Sequence, residues 1–314
     1  MLTGVTVLGV MDRAVASSSA HSKVRGALLV GLAAMLWSSG GLFIKWAPMP
    51  ALAVVCGRAA IAFVFYLAVL RPQPSQARWT TAFAYAGMIL TFVSATKLTT
   101  AANAIFLQYT GPAYVLLLSP FILHERLTRR DVVSVGLSLA GMALFFVGKV
   151  EAGHVLGNLL GVASGLFFGI TLVLLRRDAT EGTGDAMPST ALGNLLAAVV
   201  AFPFALSPLQ HAFAGPQAVY ALLVLLWLGV MQIGVAYILL AKGLRSVPAG
   251  KASLLTMLEP VFNPVWVILG TGEHPGPWAT IGGAIVLAAI ALRLRAQPLS
   301  VENRSAETLA DGGG

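Results

Sequence analysis

The chain has a single cysteine, Cys56, so no disulfide can form within it. Charged residues make up only 10% of the sequence, against about 25% in an average soluble domain. The five histidines, His21, His124, His154, His211 and His274, are scattered, and no metal-ligand spacing links them. There is no Gly-x-x-x-x-Gly-Lys-Ser/Thr segment to cradle ATP phosphates. Met1–Lys23 is apolar only briefly, contains Asp12 and Arg13, and lacks a clear cleavage site. It reads as a cytoplasmic tail, with Met11 as an alternative start, and not as a signal peptide. These shortages argue against a disulfide-stapled domain, a metal enzyme and an ATP-driven pump. Neither a cofactor nor a resident metal is expected.

What fills the space is apolar: 57% of residues are hydrophobic and mean hydropathy is +0.84. A soluble fold of 314 residues has too little interior to bury that surface. The chain is therefore read as an all-α integral membrane protein whose first partner is the lipid bilayer. Its apolar runs are continuous, without the alternation of a β-barrel. Ten of them approach membrane-spanning length: Gly26–Lys45, Ala51–Leu70, Thr80–Thr96, Ala101–Leu123, Val132–Val147, Leu156–Leu175, Pro188–Phe204, Ala218–Ala241, Ala249–Leu269 and Trp278–Leu292.

In a soluble chain, a net charge of +8 would suggest nucleic acid. Here the cations mark sidedness instead, and no nucleic-acid partner is expected. Ten spans put both termini on one side. Lys45, Lys97 and Lys149 fall on the far side, Arg58 and Lys251 fall within spans, and the other Lys and Arg share the side of the termini. The positive-inside rule then predicts cytoplasmic termini and a cell (inner, cytoplasmic) membrane location.

Two stretches repeat one design. Ala101–Glu125 and Ala249–Glu273 align without a gap at an offset of 148 residues, setting Pro112 on Pro260 and Glu125 on Glu273. Each half holds five spans, an odd number, so the halves must be inverted relative to one another. The predicted organisation is a tail over 1–24, a first repeat over 25–148, a second over 149–294 and a disordered cytoplasmic tail over 295–314. Inverted repeats with polar, proline-broken helices are a secondary-transporter architecture.

The chain resembles the ten-helix drug/metabolite transporter superfamily, in particular its EamA-like members. The residues that carry the resemblance are Leu36-Trp37-Ser38-Ser39-Gly40, Gly57-Arg58, Pro112, His124-Glu125-Arg126-Leu127, Leu258-Glu259-Pro260-Val261 and Gly272-Glu273. The resemblance spans about Gly26–Leu294. It implies two five-helix EamA repeats around a central cavity, alternating access, and usually export of small organic molecules.

Ser253, Thr256, Glu259 and Asn263 fall within an arc of roughly 120° on the ninth span. A polar stripe is costly in lipid unless it faces protein or water. Glu259, the one carboxylate well inside a span, is a candidate for a substrate ammonium or a coupled proton. The competing reading makes it a structural acid beside Pro260. Arg58 could hold a substrate carboxylate through its planar fork, or pair structurally with another helix. Trp37, Tyr85, Phe168 and Tyr237 are candidate aromatic lining, and Ser38, Gln108, Gln232, Thr256 and Asn263 candidate polar contacts. For each the alternative is packing or an inter-helix hydrogen bond. Glu125 and Glu273 are read as capping and gate-end contacts, and no residue is assigned a catalytic role.

The function that follows is secondary transport of small organic metabolites, such as amino acids or drug-like compounds, by a monomer or homodimer. With no ATP site, energy must come from a gradient, with proton coupling and facilitated diffusion both open. The alternatives are a membrane-embedded enzyme acting on lipid-linked substrates and a non-transporting scaffold. Dispersed histidines and the lack of a second intramembrane acid count against the enzyme.

Overall fold

Inside a bilayer the backbone must satisfy its own hydrogen bonds, and for continuous apolar runs the helix is the available solution. The computed structural model describes residues 21–145, 147, 154–262, 266 and 276–295, and among them there is no strand. The first half contributes α1 (His21–Trp46), α2 (Ala51–Val69), α3 (Trp79–Leu98), α4 (Ala101–Ile122) and α5 (Arg129–Phe145). The second contributes α6 (Val155–Thr180), α7 (Met187–Ala214), α8 (Ala218–Leu244), α9 (Ala249–Thr256, resuming over 258–262) and α10 (Pro277–Arg295). Eight of these are long and apolar enough to cross a membrane. The other two are α5, which opens on Arg129-Arg130-Asp131, and the short described part of α9.

Several helices outrun their apolar runs. The seventh, expected to stop at Phe204, continues to Ala214 through Pro203 and Pro208. Membrane helices tolerate internal proline because neighbouring groups can satisfy the freed carbonyls.

The ten helices form two five-helix repeats, inverted and wrapped around a central cavity. Pairings recur with the halves exchanged: α3 lies on α6 as α8 lies on α1, and α3 lies on α7 as α8 lies on α2. Equivalent helices also meet directly, α2 with α7 and α5 with α10.

Small residues set the closest of these contacts. Along α6, Gly157, Gly161, Gly165 and Gly169 recur every fourth position and form one stripe. A Cβ on Gly165 would lie 2.8 Å from the Leu107 carbonyl oxygen, and one on Gly169 would lie 2.9 Å from that of Gly111. Only hydrogen fits there, so α6 rests directly on the α4 backbone.

At the end of the bundle holding the chain's many arginines, Glu125 joins three segments. One carboxylate oxygen accepts from Arg176 Nε at 2.9 Å, and the other accepts from the Ala249 amide at 2.9 Å. That amide opens α9, so Glu125 caps a helix from outside it. Arg176 also donates to the Leu244 carbonyl. Nearby, Arg293 Nε donates to Asp131 at 2.6 Å and ties α10 to α5. Glu273 lies outside the described residues, as do most of both tails.

Candidate functional site

The site begins with two broken helices. In α4 the helix stops at Gln108 and restarts at Gly111, with Pro112 in the new first turn. In α9 it turns at Met257, three residues before Pro260. Proline has no N–H, so Pro260 frees the Thr256 carbonyl four residues back. Tyr109, at the break in α4, donates to that carbonyl at 2.7 Å. The break in α4 thus supplies the donor that the break in α9 lacks.

The same Tyr109 hydroxyl lies 2.7 Å from Glu259 Oε2. A phenol has one hydrogen and cannot donate to two acceptors at once. All three oxygens are satisfied when Glu259 carries a proton and donates to Tyr109, which in turn donates to Thr256. Ser253, Thr256 and Glu259 are all buried, so the described part of the polar stripe faces the bundle. Asn263 lies outside the described residues.

Arg58 comes from the middle of α2 and is 3% exposed. Its Nη1 donates to Gln232 Oε1 at 3.2 Å, while its buried Nε has no partner. Gln232 sits on a π-helical stretch of α8, Trp227–Val235. Such wide turns leave carbonyls out of register and recur at functional sites. Here Tyr66 on α2 donates to the Ile233 carbonyl at 3.0 Å. Sequence reasoning singled out Gln232 but not the π turn that carries it.

Aromatic rings close the space between these groups. Trp37 lies 5.0 Å from Tyr237 and 6.3 Å from Phe168, ring centre to ring centre. Tyr237 meets Tyr85 edge-on at 4.8 Å, and Phe168 meets Tyr109 at 6.3 Å. These spacings are those of favourable aromatic pairs.

What remains is a central cavity of about 30 Å³, large enough for a water and far below the roughly 300–1,000 Å³ of ligand pockets. Of the candidates named from the sequence, Trp37, Arg58, Gln108, Phe168, Gln232, Tyr237 and Glu259 line it. Met88, Ile89 and Phe92 of α3 and Ile233 also line it, and sequence reasoning did not single them out. Three expected residues stand behind the wall. Ser38 donates to the Met35 carbonyl and accepts from Trp266 Nε1 at 2.7 Å. Tyr85 accepts from Asn194 at 3.0 Å. The Thr256 hydroxyl turns back to the Ser253 carbonyl at 2.7 Å. Among the described residues no group of His, Cys, Asp and Glu is placed to hold a metal ion.

The model of the EamA-like transporter family matches residues 24–147 and 155–295. Two uncharacterized transporters of Archaeoglobus fulgidus are similar to this chain. One is 26% identical over 207 residues, covering 66% of this chain and 72% of the relative. The other is 25% identical over 288 residues, covering 84% and 96%. A solved crystal structure superposes with a TM-score of 0.69 at 20% identity, over 85% of this chain and 96% of that one, a likeness of fold.

Proposed function

As this chain belongs to the EamA-like transporter family, we propose that it is a secondary transporter that moves small organic molecules through the central cavity by alternating access. Its substrates are amino acids or amphipathic, drug-like compounds bearing a carboxylate, and the direction is outward. The observation that carries this reading is that Arg58 and Glu259 line one buried, aromatic-walled cavity. A buried guanidinium with an unsatisfied Nε has a donor left for an acceptor that enters the cavity, and an anion would also offset its charge. The fork of Arg58 suits a carboxylate. Glu259 then receives the substrate's ammonium or carries a coupled proton, and Trp37, Phe168 and Tyr237 flank the organic body. Gln108 and Gln232 orient it.

In this reading the two repeats, 25–148 and 149–294, rock against each other about the site in a cytoplasmic membrane with both termini inside. Where Glu259 carries the coupled proton, releasing it breaks the chain of hydrogen bonds from Glu259 through Tyr109 to Thr256 and so links the cycle to a proton gradient.

The test is a thermal-shift screen of purified protein against amino acids, their decarboxylated amines, nucleosides and sugars. A ligand that binds only the folded state raises the melting temperature by mass action. The reading expects a carboxylate-bearing compound to stabilise the wild type, and the same compound to cross proteoliposome membranes. Stabilisation by sugars or nucleosides, with none by any carboxylate, would overturn the substrate assignment.

A further inference from the structure

A second cavity, of about 790 Å³, opens between α1, α9 and α10 and is separate from the central one. Its polarity is one-ended. On α9, Lys251, Leu255, Leu258 and Phe262 follow at helical spacing, so one cation heads an apolar stripe. On α1, Lys23 heads the face that continues through Leu28, Leu32 and Met35. On α10, Arg293 stands beside Ile290 and Leu294. Three helices thus present positive charge at one end of a groove and hydrocarbon along the rest.

The charges do not cancel. Arg293 is paired with Asp131, and Arg176, also at the groove, with Glu125. Neither Lys23 nor Lys251 forms an ion pair among the described residues, and Asp131, within electrostatic range of Lys251, is already bonded to Arg293. The apolar wall has a matching length. From Lys251 to Phe262 the helix rises about 16 Å at 1.5 Å per residue, close to the half-thickness of a bilayer core of about 30 Å. Leu28, Leu32 and Met35 are exposed, so the groove is open along its side.

We propose that this groove is a binding site for an anionic phospholipid. The phosphate headgroup lies between Lys23 and Lys251 at the arginine-rich end of the bundle, and acyl chain lies along Leu255, Leu258 and Phe262. A zwitterionic lipid brings its own cation to the same place and is disfavoured. Free phosphate lacks the hydrocarbon that the wall is shaped to cover.

The experiment uses the full-length protein, delipidated in a neutral detergent, with melting temperature and native mass spectrometry as readouts. Phosphatidylglycerol is titrated against phosphatidylcholine with the same chains and against glycerol 3-phosphate. Phosphatidylglycerol alone is expected to raise the melting temperature and leave one lipid bound. The double variant Lys23→Gln/Lys251→Gln should lose that response, and Lys242→Gln, an exposed cation outside the groove, should keep it. Should the double variant fold poorly, Lys23→Gln alone, at an exposed position, is expected to weaken the response several-fold. Equal stabilisation by phosphatidylcholine, or by glycerol 3-phosphate alone, would overturn the proposal. So would a wild-type response in the double variant, or an equal loss in Lys242→Gln.

Discussion

Lys45 and Lys97 each donate to the backbone carbonyl just past the end of the other's helix: Lys45 to Thr99 at 2.7 Å and Lys97 to Ala47 at 2.8 Å. Helices α1 and α3 are therefore tied at the end opposite Glu125 and Arg176. An ammonium there also meets the negative end of the neighbouring helix. Each end of the bundle thus carries a tie, and the cavity between them has room for about one water.

Replacing both lysines with methionine keeps the apolar stems and removes the tie. Cys56 is a native reporter, since it is 6% exposed and lies on α2 five residues from the helix start at the same end of the bundle. Its maleimide-labelling rate is expected to rise several-fold in Lys45→Met/Lys97→Met. An unchanged rate would mean that the tie does not hold this end closed.

Glycine positions separate two outcomes. In Gly165→Ala the new methyl would lie 2.3 Å from Thr110 Oγ1 and 2.8 Å from a backbone carbonyl oxygen. Backbone has to move, and a loss of about 1–3 kcal/mol is expected. Gly136→Ala on α5 meets nothing within 4 Å and should melt at or above the wild-type temperature. Thermal melts of the two variants in the same detergent decide this.

Tyr109→Phe leaves the buried Thr256 carbonyl without its donor, at a cost of about 1 kcal/mol. Glu259→Gln should cost less, because its amide can still donate to Tyr109. Transport should respond in the opposite order. Glu259→Gln is expected to abolish any dependence of initial rate on a pH gradient across proteoliposomes, while Tyr109→Phe retains some. A gradient response that survives Glu259→Gln would remove Glu259 from coupling.

Arg58→Met removes a buried cation that has no carboxylate partner among the described residues. Because an ion left short of partners is expensive to bury, this variant should melt no lower than the wild type. It should nonetheless lose ligand-induced stabilisation altogether. Arg58→Lys, which keeps charge and loses the fork, should weaken that response by at least about tenfold, near 1.4 kcal/mol. A large drop in melting temperature with ligand response intact would make Arg58 structural.

The broken helices were legible because proline acts locally: Pro112 and Pro260 mark both breaks, and their ungapped alignment exposes the repeat. Glu259 and Arg58 were legible as charges inside apolar runs. Their surroundings were not. The Arg58–Gln232 bond spans 174 residues and depends on a π turn that leaves no mark in composition. Met88, Ile89 and Phe92 read as ordinary apolar positions, and only the packing of α3 turns them toward the cavity. Polarity likewise failed to separate Gln108, which lines the cavity, from Thr256, which bonds within its own helix. The offset of 148 makes those two equivalent, but inverted repeats are not identical ones.

The smallness of the central cavity also has a consequence for measurement. Under the proposed alternating access, a cargo molecule too large for this form would bind only the fraction of molecules that have opened. The apparent dissociation constant is the intrinsic one divided by that fraction. A protein open one time in a hundred would show affinity about a hundredfold weaker than its contacts warrant, near 2.7 kcal/mol. Loosening the lysine tie would then tighten apparent binding without touching a single binding residue.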